Sequence, residues 1–316
     1  MKTKLKPGFN YIFGPVPSRR LGLSLGVDLM PHKTCSLNCV YCECGKTTHL
    51  TVKRKEYTPF DQIRKELDTV LSSRPRIDFL TFSGSGEPTL HSGIGDIIQY
   101  MKTAYPEYAV AVLTNGTLFH LPEVRKAVLQ ADVVIASFDA ASDHVFQTIN
   151  RPHPALDLDE MVKGLAALRK EFSNQLWMEI FIVPGHNDDH HELERIQRVM
   201  DTINPYQIHI NSLDRPGTED WVKPVTPEVL KSIQACMHNV STLNHSKHTV
   251  LPDVFSGDLM DLILSTVKRR PCTVEDILEI TGADHNKINQ HLDILLKNGE
   301  VVKKQMPRGT FFFRKQ

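Results

Sequence analysis

The chain has 316 residues, 41% hydrophobic and 23% charged, with 37 Lys and Arg balanced by 37 Asp and Glu. That length suits one large domain, or a large domain plus a small one. The composition excludes a disordered or collagen-like chain, and the zero net charge excludes a globally basic nucleic-acid coat. The charge is nevertheless uneven, at +7 in residues 1–60, −9 in 61–256 and +2 in 257–316. A basic entry segment before an acidic body suits an anionic substrate, and equally a solvated surface arm. No apolar run reaches the ~18–20 residues of a bilayer span. Met1-Lys2-Thr3-Lys4-Leu5-Lys6 meets Pro7 and Gly8 with no apolar stretch behind it, so no secretory signal is expected. The expectation is a soluble, cytoplasmic protein without a membrane partner.

In chain order, the pattern predicts a strand at Gly22–Leu29, a cysteine-rich loop, and a helix at Asp61–Leu71 with Ile63, Leu67 and Val70 or Leu71 at helical spacing. Strands at Phe79–Phe82, Ala109–Leu113, Val133–Ser137, Met178–Val183 and Gln207–Asn211 then alternate with helices at Ile94–Ala104, Glu123–Gln130, Leu158–Phe172 and His190–Asp201. Six strands separated by helices are the pattern of βα units that feed a parallel sheet, here curled toward a partial barrel. Pro216, Gly217, Pro224 and Pro227 mark a connecting segment, followed by a helix at Glu228–Val240 and a polar linker at Ser241–His248. The domain reading is therefore 1–248, with a core of about 14–215 and a helical extension at 216–248, and then a small unit at 249–316. The small unit carries helices at Asp258–Arg269, Asp276–Thr281 and Asp284–Lys297, with a capping box at Thr273 and Asp276, then strands at Glu300–Lys304 and Thr310–Phe313. Three helices and a hairpin predict a winged helix-turn-helix.

Four of the six cysteines lie within ten residues, as Cys35, Cys39, Cys42 and Cys44. This is the wrong distribution for a disulfide framework and the right one for a metal or catalytic site. Cys35-Ser36-Leu37-Asn38-Cys39-Val40-Tyr41-Cys42 places three thiolates in one loop after the first predicted strand. Thiolate is the usual ligand of iron–sulfur clusters, and three thiolates leave one of four irons open. Zinc held by all four cysteines is the competing reading, although four ligands in ten residues are cramped for a structural zinc site. Cys44 reads as a spare thiol, and Cys236 and Cys272 as ordinary core residues.

The C-x3-C-x2-C spacing with Tyr41 before the last cysteine resembles the radical S-adenosylmethionine (SAM) superfamily. Gly84-Ser85-Gly86-Glu87-Pro88 after the second strand resembles that superfamily's glycine-rich motif. Thr114-Asn115-Gly116 and Ser137-Phe138-Asp139 follow the next two strands, at the strand ends where a parallel barrel builds its active site. The resemblance covers roughly residues 14–215. It implies an α/β fold, a parallel (βα)6 partial barrel of radical SAM type, with a [4Fe–4S] cluster and SAM as cofactors. It implies Cys35, Cys39 and Cys42 as metal ligands, Tyr41 packed near the cluster and adenine, and Gly84, Ser85, Gly86 and Glu87 around the methionine end of SAM. Asn115, Ser137 and Asp139 are candidates for further polar contacts to SAM. The implied activity is reductive cleavage of SAM to a 5′-deoxyadenosyl radical that abstracts hydrogen from a substrate. An electron donor of flavodoxin or ferredoxin type goes with it. No catalytic acid or base is singled out.

More narrowly, residues Phe13–Gly22, Ser83–Leu90 and Leu213–Gly217 resemble the iron–sulfur oxidoreductase group related to wyosine-type tRNA synthetases. Those synthetases carry an upstream cysteine cluster, whereas no cysteine precedes Cys35 here. A tRNA base is then one substrate class, with RNA or a peptide as the broader choice.

Other readings stand beside these. Asn115 with Gly116 also makes a tight turn, Asp139 a helix cap and Ser137 a core hydroxyl. His186, His190 and His191 sit beside Asp188 and Asp189 without metal-ligand spacing on a helix face. Glu179 is a carboxylate in an otherwise apolar strand, a candidate to face the barrel interior and touch substrate or SAM, and Arg215 suits a salt bridge as well as a substrate contact. The alternative function is an iron–sulfur redox-sensing, DNA-binding regulator. The predicted recognition helix Asp284–Lys297 carries only Lys287 and Lys297 as bases, so nucleic-acid binding through the terminal unit should be weak at most. Every motif lies upstream of 248, which predicts that a chain ending there keeps its cluster.

Overall fold

A computed structural model describes residues 9–242 and 259–314. The predicted boundary at 248/249 and the basic Lys315 lie outside the described residues. Strands β1 (Ile12–Ser18) and β2 (Gly22–Val27) lead into the cysteine loop, which is framed by the short pair β3 (Thr34–Cys35) and β4 (His49–Leu50). Then follow α1 (Phe60–Leu71), β5 (Phe79–Phe82), α2 (Ile94–Ala104), β6 (Ala109–Thr114), α3 (Pro122–Val128) and β7 (Val133–Ser137). The short α4 (Asp143–Val145) runs into a π-helical turn at Phe146–Asn150. After it come α5 (Leu158–Glu171), β8 (Gln175–Ile182), α6 (His190–Ile203), β9 (Gln207–Ser212), α7 (Pro227–Cys236) and β10 (Val240–Thr242).

The main sheet runs β1-β2-β5-β6-β7-β8-β9-β10. The six predicted strands are its parallel centre, and the sheet is wider than predicted, with eight strands. β1 joins one edge antiparallel to β2, and β10 the other edge parallel to β9. β1 escaped the sequence reading because Pro15 and Pro17 argue against a strand. At an edge, however, proline forfeits no ladder bond, and a register shift between Phe13 and Val16 absorbs the misfit. β10 takes the end of the predicted last helix, which stops at Cys236 because Met237 turns to extended backbone.

Alternation along the strands separates two faces. Leu80, Phe82, Val110, Val112, Val134, Ala136, Met178 and Ile180 point outward and are fully buried beneath the helices. Phe79, Ala111, Leu113, Val133, Ile135 and Trp177 point inward and form a separate small cluster with Leu21. Arg20, in the β1–β2 turn, pairs with Glu179 on β8. In a flat sheet β2 and β8, four strand spacings apart, would lie about 19 Å from each other. Their contact requires the sheet to curl into a partial barrel, with Glu179 facing its interior.

The last described segment holds α8 (Leu259–Val267), α9 (Val274–Thr281), α10 (His285–Lys297) and an antiparallel pair, β11 (Val301–Met306) and β12 (Gly309–Arg314). Ile263, Val267, Ile277, Ile280, Ile288, Leu292 and Leu295 give it a core of its own. The capping box at Thr273 and Asp276 is present, and Gly282 ends α9 in the left-handed conformation. Arg215 is not free for a substrate. It is buried against Asp276 of this unit at 2.8 Å, with Glu43 and Asp214 each at 3.7 Å.

Helix α5 carries one glycine whose replacement sets two effects against each other. In an open helix, Gly→Ala gains up to ~1 kcal/mol. At Gly164, a Cβ would lie 2.3 Å from the His120 nitrogen and 2.4 Å from the Phe119 carbonyl carbon. Backbone cannot rotate aside, so we expect Gly164→Ala to destabilise by about 1–3 kcal/mol in urea unfolding. A neutral or stabilised variant would contradict this packing of α5 on the β6–α3 loop.

Candidate active site

The cysteine loop leaves β3 and is pinned at both ends. Thr51 N–H donates to the Cys35 carbonyl at 2.9 Å. Asn38 and Val40 donate to the carbonyls of Asn150 and Ile149, each at 2.9 Å. A separate N–H donor faces each of the three cysteine sulfurs. Asn115 Nδ2 donates to Cys35 Sγ at 3.5 Å, Asn150 Nδ2 to Cys39 Sγ at 3.5 Å, and Lys33 Nζ to Cys42 Sγ at 3.0 Å. Burial, and next the Glu87 charge, pushes the Cys35 thiol up to about 12. Burial, and next the Asp139 charge, raises that of Cys39. A hydrogen bond from Cys44 is the largest effect lowering Cys42, followed by Lys33, to about 5. The carbonyls of Gly84 at 3.4 Å and Arg269 at 3.1 Å are alternative acceptors for the single Cys44 thiol proton.

The glycine-rich loop leaves β5 and wraps onto the cysteine loop. Its glycines allow the chain to approach itself closely. Gly84 has φ +136°, and a Cβ there would lie 2.4 Å from the Asp28 carboxyl carbon. At Gly86 a Cβ would lie 2.1 Å from the Thr34 carbonyl oxygen, one residue before Cys35. Ser85 donates its N–H and its hydroxyl to Asp28, the hydroxyl at 2.8 Å. Glu87 is buried with four donors around it. Its Oε1 accepts from Thr89 N at 3.0 Å, Thr89 Oγ1 at 2.6 Å and Thr114 Oγ1 at 2.6 Å, and its Oε2 from Asn115 N at 2.7 Å. Burial nevertheless raises its carboxyl above the usual range.

Asn115 stands at the end of β6 and bridges Glu87 to Cys35 and to Ser36 Oγ at 2.9 Å. Its Oδ1 accepts from Thr117 N at 3.1 Å, which is the tight turn read as the alternative. Asp139, just after β7, is buried and accepts from Tyr41 Oη, from Asn150 Nδ2 at 2.7 Å and from Phe181 N at 2.8 Å. It caps no helix. Tyr41 stacks on Phe181 with ring centroids 3.8 Å apart. Asn115, Ser137 and Asp139 line one cavity beside the loop, together with Leu37, Phe138 and Asn150. All eleven residues named from the sequence thus gather at the same ends of the parallel strands.

Sequence reasoning missed Asp28, Lys33 and Asn150. Asn150 lies 111 residues from Cys39, and no local spacing could have pointed to it. Asp28 closes the predicted first strand, and an acidic residue at that place was the available signal. The histidine group does not form a metal site. Asp189 caps α6, and His190 pairs with Glu194 at 3.1 Å.

The terminal unit also reaches this site. Arg269 donates to Asp28 at 3.1 Å, and Asp28 holds Ser85. A chain ending at 248 would lack this contact. We expect Arg269→Ala to speed amide hydrogen exchange at Ser85. Unchanged exchange there would show that Arg269 does not support the loop.

The donor set fits an iron–sulfur cluster. Three soft sulfurs emerge from one loop, each with an N–H group of the kind that stabilises cluster thiolates. Among the described residues, no three His, Cys, Asp or Glu side chains converge to hold a single ion.

Comparison with known proteins agrees with this donor set. The family described as the radical SAM superfamily matches residues 29–199. UPF0026 protein MJ1312 of Methanocaldococcus jannaschii is 30% identical over 311 residues, covering 96% of this chain and 95% of that protein. The UPF0026 protein of Helicobacter pylori strain J99 is 28% identical, over 97% and 98%. A Brachyspira hyodysenteriae protein named GTPase Obg is 33% identical over 95% of this chain, which spans only 44% of that protein. Among solved structures, a radical SAM methyltransferase from Sphaerobacter thermophilus has a similar fold, with TM-score 0.51 and 15% identity over 69% of this chain and 65% of its own. Streptococcus suis SuiB, bound to its precursor peptide SuiA, also has TM-score 0.51, with 9% identity over 69% and 48%. With its cysteine loop inside the matched region and a full-length likeness to the UPF0026 proteins, the chain belongs to the radical SAM superfamily and is an enzyme of that class.

Proposed function

We propose that Cys35, Cys39 and Cys42 hold a [4Fe–4S] cluster and that the strand ends around Glu87, Asn115 and Ser137 hold SAM. Membership in the superfamily implies both cofactors. The observation that carries the residue assignment is the separate N–H donor facing each of those three sulfurs. When bound, the cluster supplies one electron to SAM, which splits to methionine and a 5′-deoxyadenosyl radical that abstracts hydrogen from the substrate.

The chain's own residues supply position. Asn115, Asn150 and Lys33 stabilise the thiolates. Tyr41, fixed by Phe181 and Asp139, walls the loop on the side of β8. Glu87 aligns the Thr89 and Thr114 hydroxyls and the Asn115 backbone, and its carboxylate is the acceptor for the methionine ammonium. Gly84, Ser85 and Gly86 bring backbone carbonyls alongside it. Ser137 and Asn115 offer polar contacts to the rest of SAM from their strand ends, and Asp139 acts there through Tyr41.

The narrower kinship with wyosine-type synthetases rests on the Phe13–Gly22, Ser83–Leu90 and Leu213–Gly217 motifs, and a tRNA base is the substrate class it carries. The electron donor is of flavodoxin or ferredoxin type. The terminal unit, described over residues 259–314, reads as a winged helix-turn-helix domain of its own. The order of α8, α9, α10 and the β11–β12 pair supports this, as does their own core. Its hairpin is poorly suited to nucleic acid, because Arg308 is held by Asp276 at 2.9 Å and Asp214 at 3.1 Å, and Lys304 pairs with Asp220. The redox-sensing regulator has no supporting observation. No helix among the described residues is long and apolar enough to cross a membrane.

Two experiments test the assignment. Anaerobically reconstituted protein should carry about four irons per chain. Cys35→Ala, Cys39→Ala and Cys42→Ala should each lose most of them, whereas Cys44→Ala should not. Stoichiometric zinc without iron would overturn the cluster. Glu87→Ala strands four donors and should cost about 3 kcal/mol of stability. Glu87→Gln keeps the shape and should retain iron while weakening SAM binding about tenfold or more. Unchanged SAM affinity in Glu87→Gln would leave Glu87 as a tie between loops only.

A further inference from the structure

The inward face of the barrel differs from its outward face in more than polarity. Outward residues such as Leu80, Val112, Val134 and Met178 have no exposed surface. Their inward neighbours Phe79, Leu113, Ser137 and Glu179 all keep some. The interior is therefore reached by solvent, and it contains arginine.

Arg20 stands in the β1–β2 turn, inside a motif that the SAM chemistry does not use. It pairs with Glu179, and its Nε is buried without a hydrogen-bond partner. Arg270, at the end of α8, donates to the Pro17 carbonyl at 3.0 Å. Its own Nε is likewise buried and unpartnered, and no carboxylate forms a salt bridge with it among the described residues. The Pro17 carbonyl that Arg270 holds is three residues from Arg20, Arg20 feels the charge of Arg270, and Asp276 and Glu43 are the acidic groups that act on Arg270. His209 on β9 faces Arg20. Burial and that charge lower its pKa to about 4, and its Nδ1 is a third buried atom without a partner while Nε2 bonds Gln207 at 2.9 Å. The other arginines nearby are different, because Asp276, Asp214 and Glu43 neutralise Arg215 and Arg308.

A buried guanidinium with no carboxylate and an idle donor is expensive unless something completes it. Arg270 is in that position, and Arg20, although paired with Glu179, keeps its Nε idle; together, at a barrel whose rim carries the cysteine loop, they make a receptor for an oxyanion. We propose that Arg20 and Arg270 bind the carboxylate or phosphate of a small-molecule substrate inside the barrel, where Glu179 holds Arg20 until that anion displaces it. The idle Nε atoms are buried, so a terminal carboxylate or phosphate fits better than a link in a polymer backbone, and this substrate class departs from the tRNA base that the narrower kinship carries. His209 Nδ1 is placed to accept from a hydroxyl or N–H beside it. The inference rests on the superfamily reading for its catalytic meaning, but the binding itself does not.

The test titrates sodium acetate and sodium phosphate into the full-length protein at constant ionic strength. The readout is the arginine Nε–H signals in NMR spectra, assigned by loss in Arg20→Gln and Arg270→Gln. Arg125, whose Nε is tied to Glu171 at 2.9 Å, is the internal control. We expect one anion or both to shift the Arg20 and Arg270 signals saturably while Arg125 stays still. Acetate alone points to a carboxylic acid and phosphate alone to a phosphorylated substrate. Arg270→Gln should weaken binding about tenfold, and Glu179→Gln, which removes the internal competitor, should tighten it about tenfold. If Arg270→Gln fails to fold, Arg270→Lys replaces it and should weaken binding by a smaller factor, because lysine keeps the charge but not the fork. No saturable shift with either anion, an equal shift at Arg125, or unchanged or weaker binding in Glu179→Gln would overturn the proposal. Iron content measured on the same samples separates this result from a failure of the cluster assignment.

Discussion

A carboxylate taken out of water has to be surrounded by donors, and that constraint shapes the whole rim of the barrel. Asp28, Glu87 and Asp139 follow β2, β5 and β7, and each is buried. None can be satisfied by its own segment alone. Asp28 draws in Ser85 and Arg269, Glu87 draws in Thr114 and Asn115, and Asp139 draws in Tyr41, Asn150 and Phe181. Loops that would otherwise lie independently over the strand ends are thereby tied to one another. Glu192 repeats the device one layer out, taking the backbone N–H groups of Ala141 and Ser142 at 2.7 and 3.0 Å. Removing one carboxylate therefore disturbs two or three segments at once, and for that reason an isosteric amide separates binding from packing better than alanine does.

The same ties carry the cysteine loop. The loop anchors itself in the core through Leu37 and Val40 and takes the rest of its order from neighbours. Asn115 and Asn150 each hold a carboxylate and a sulfur together. Position and sulfur chemistry are thus set by the same side chains. An amide that fixes a loop also places its N–H against a thiolate, and hydrogen bonds to sulfur are among the factors that set a cluster's potential.

Much of this was legible in the sequence, for identifiable reasons. The βα alternation fixes a parallel sheet because strand and helix periods differ so clearly, and β5 and β7 match their predicted bounds. The cysteine spacing is local and survives folding unchanged. β1 was illegible because an edge strand tolerates the prolines that disqualify a central one. β10 was illegible because three residues at an edge carry no period. The roles of Gly84 and Gly86 were half legible. The need for close approach could be read, but the approach is to Asp28 and Thr34, which only the curled sheet brings near. Arg215 shows the same limit. Its motif suggested a site, and its partner Asp276 lies 61 residues away in a different unit.

That partnership explains why the terminal unit reads as a nucleic-acid module in outline yet not in chemistry. A DNA-binding wing spends its arginines on phosphates. Here Arg308 is spent on Asp276 and Asp214, and Arg215 reaches across from the main sheet to the same Asp276. Burial alone would raise the Asp276 carboxyl, but hydrogen bonds from Arg308 and the charge of Arg215 hold it well below the usual range. The exposed Lys304–Asp220 pair adds little to the attachment, because solvent screens it. The buried cluster is different in kind. Removing one member leaves a charge without its counter-charge inside the interface, which costs far more than the pair gains when intact. The unit is therefore held in one orientation, with Arg269 on Asp28 beside the glycine-rich loop and Arg270 on the Pro17 carbonyl of β1. A surface built to read phosphates would have left those guanidinium groups pointing outward.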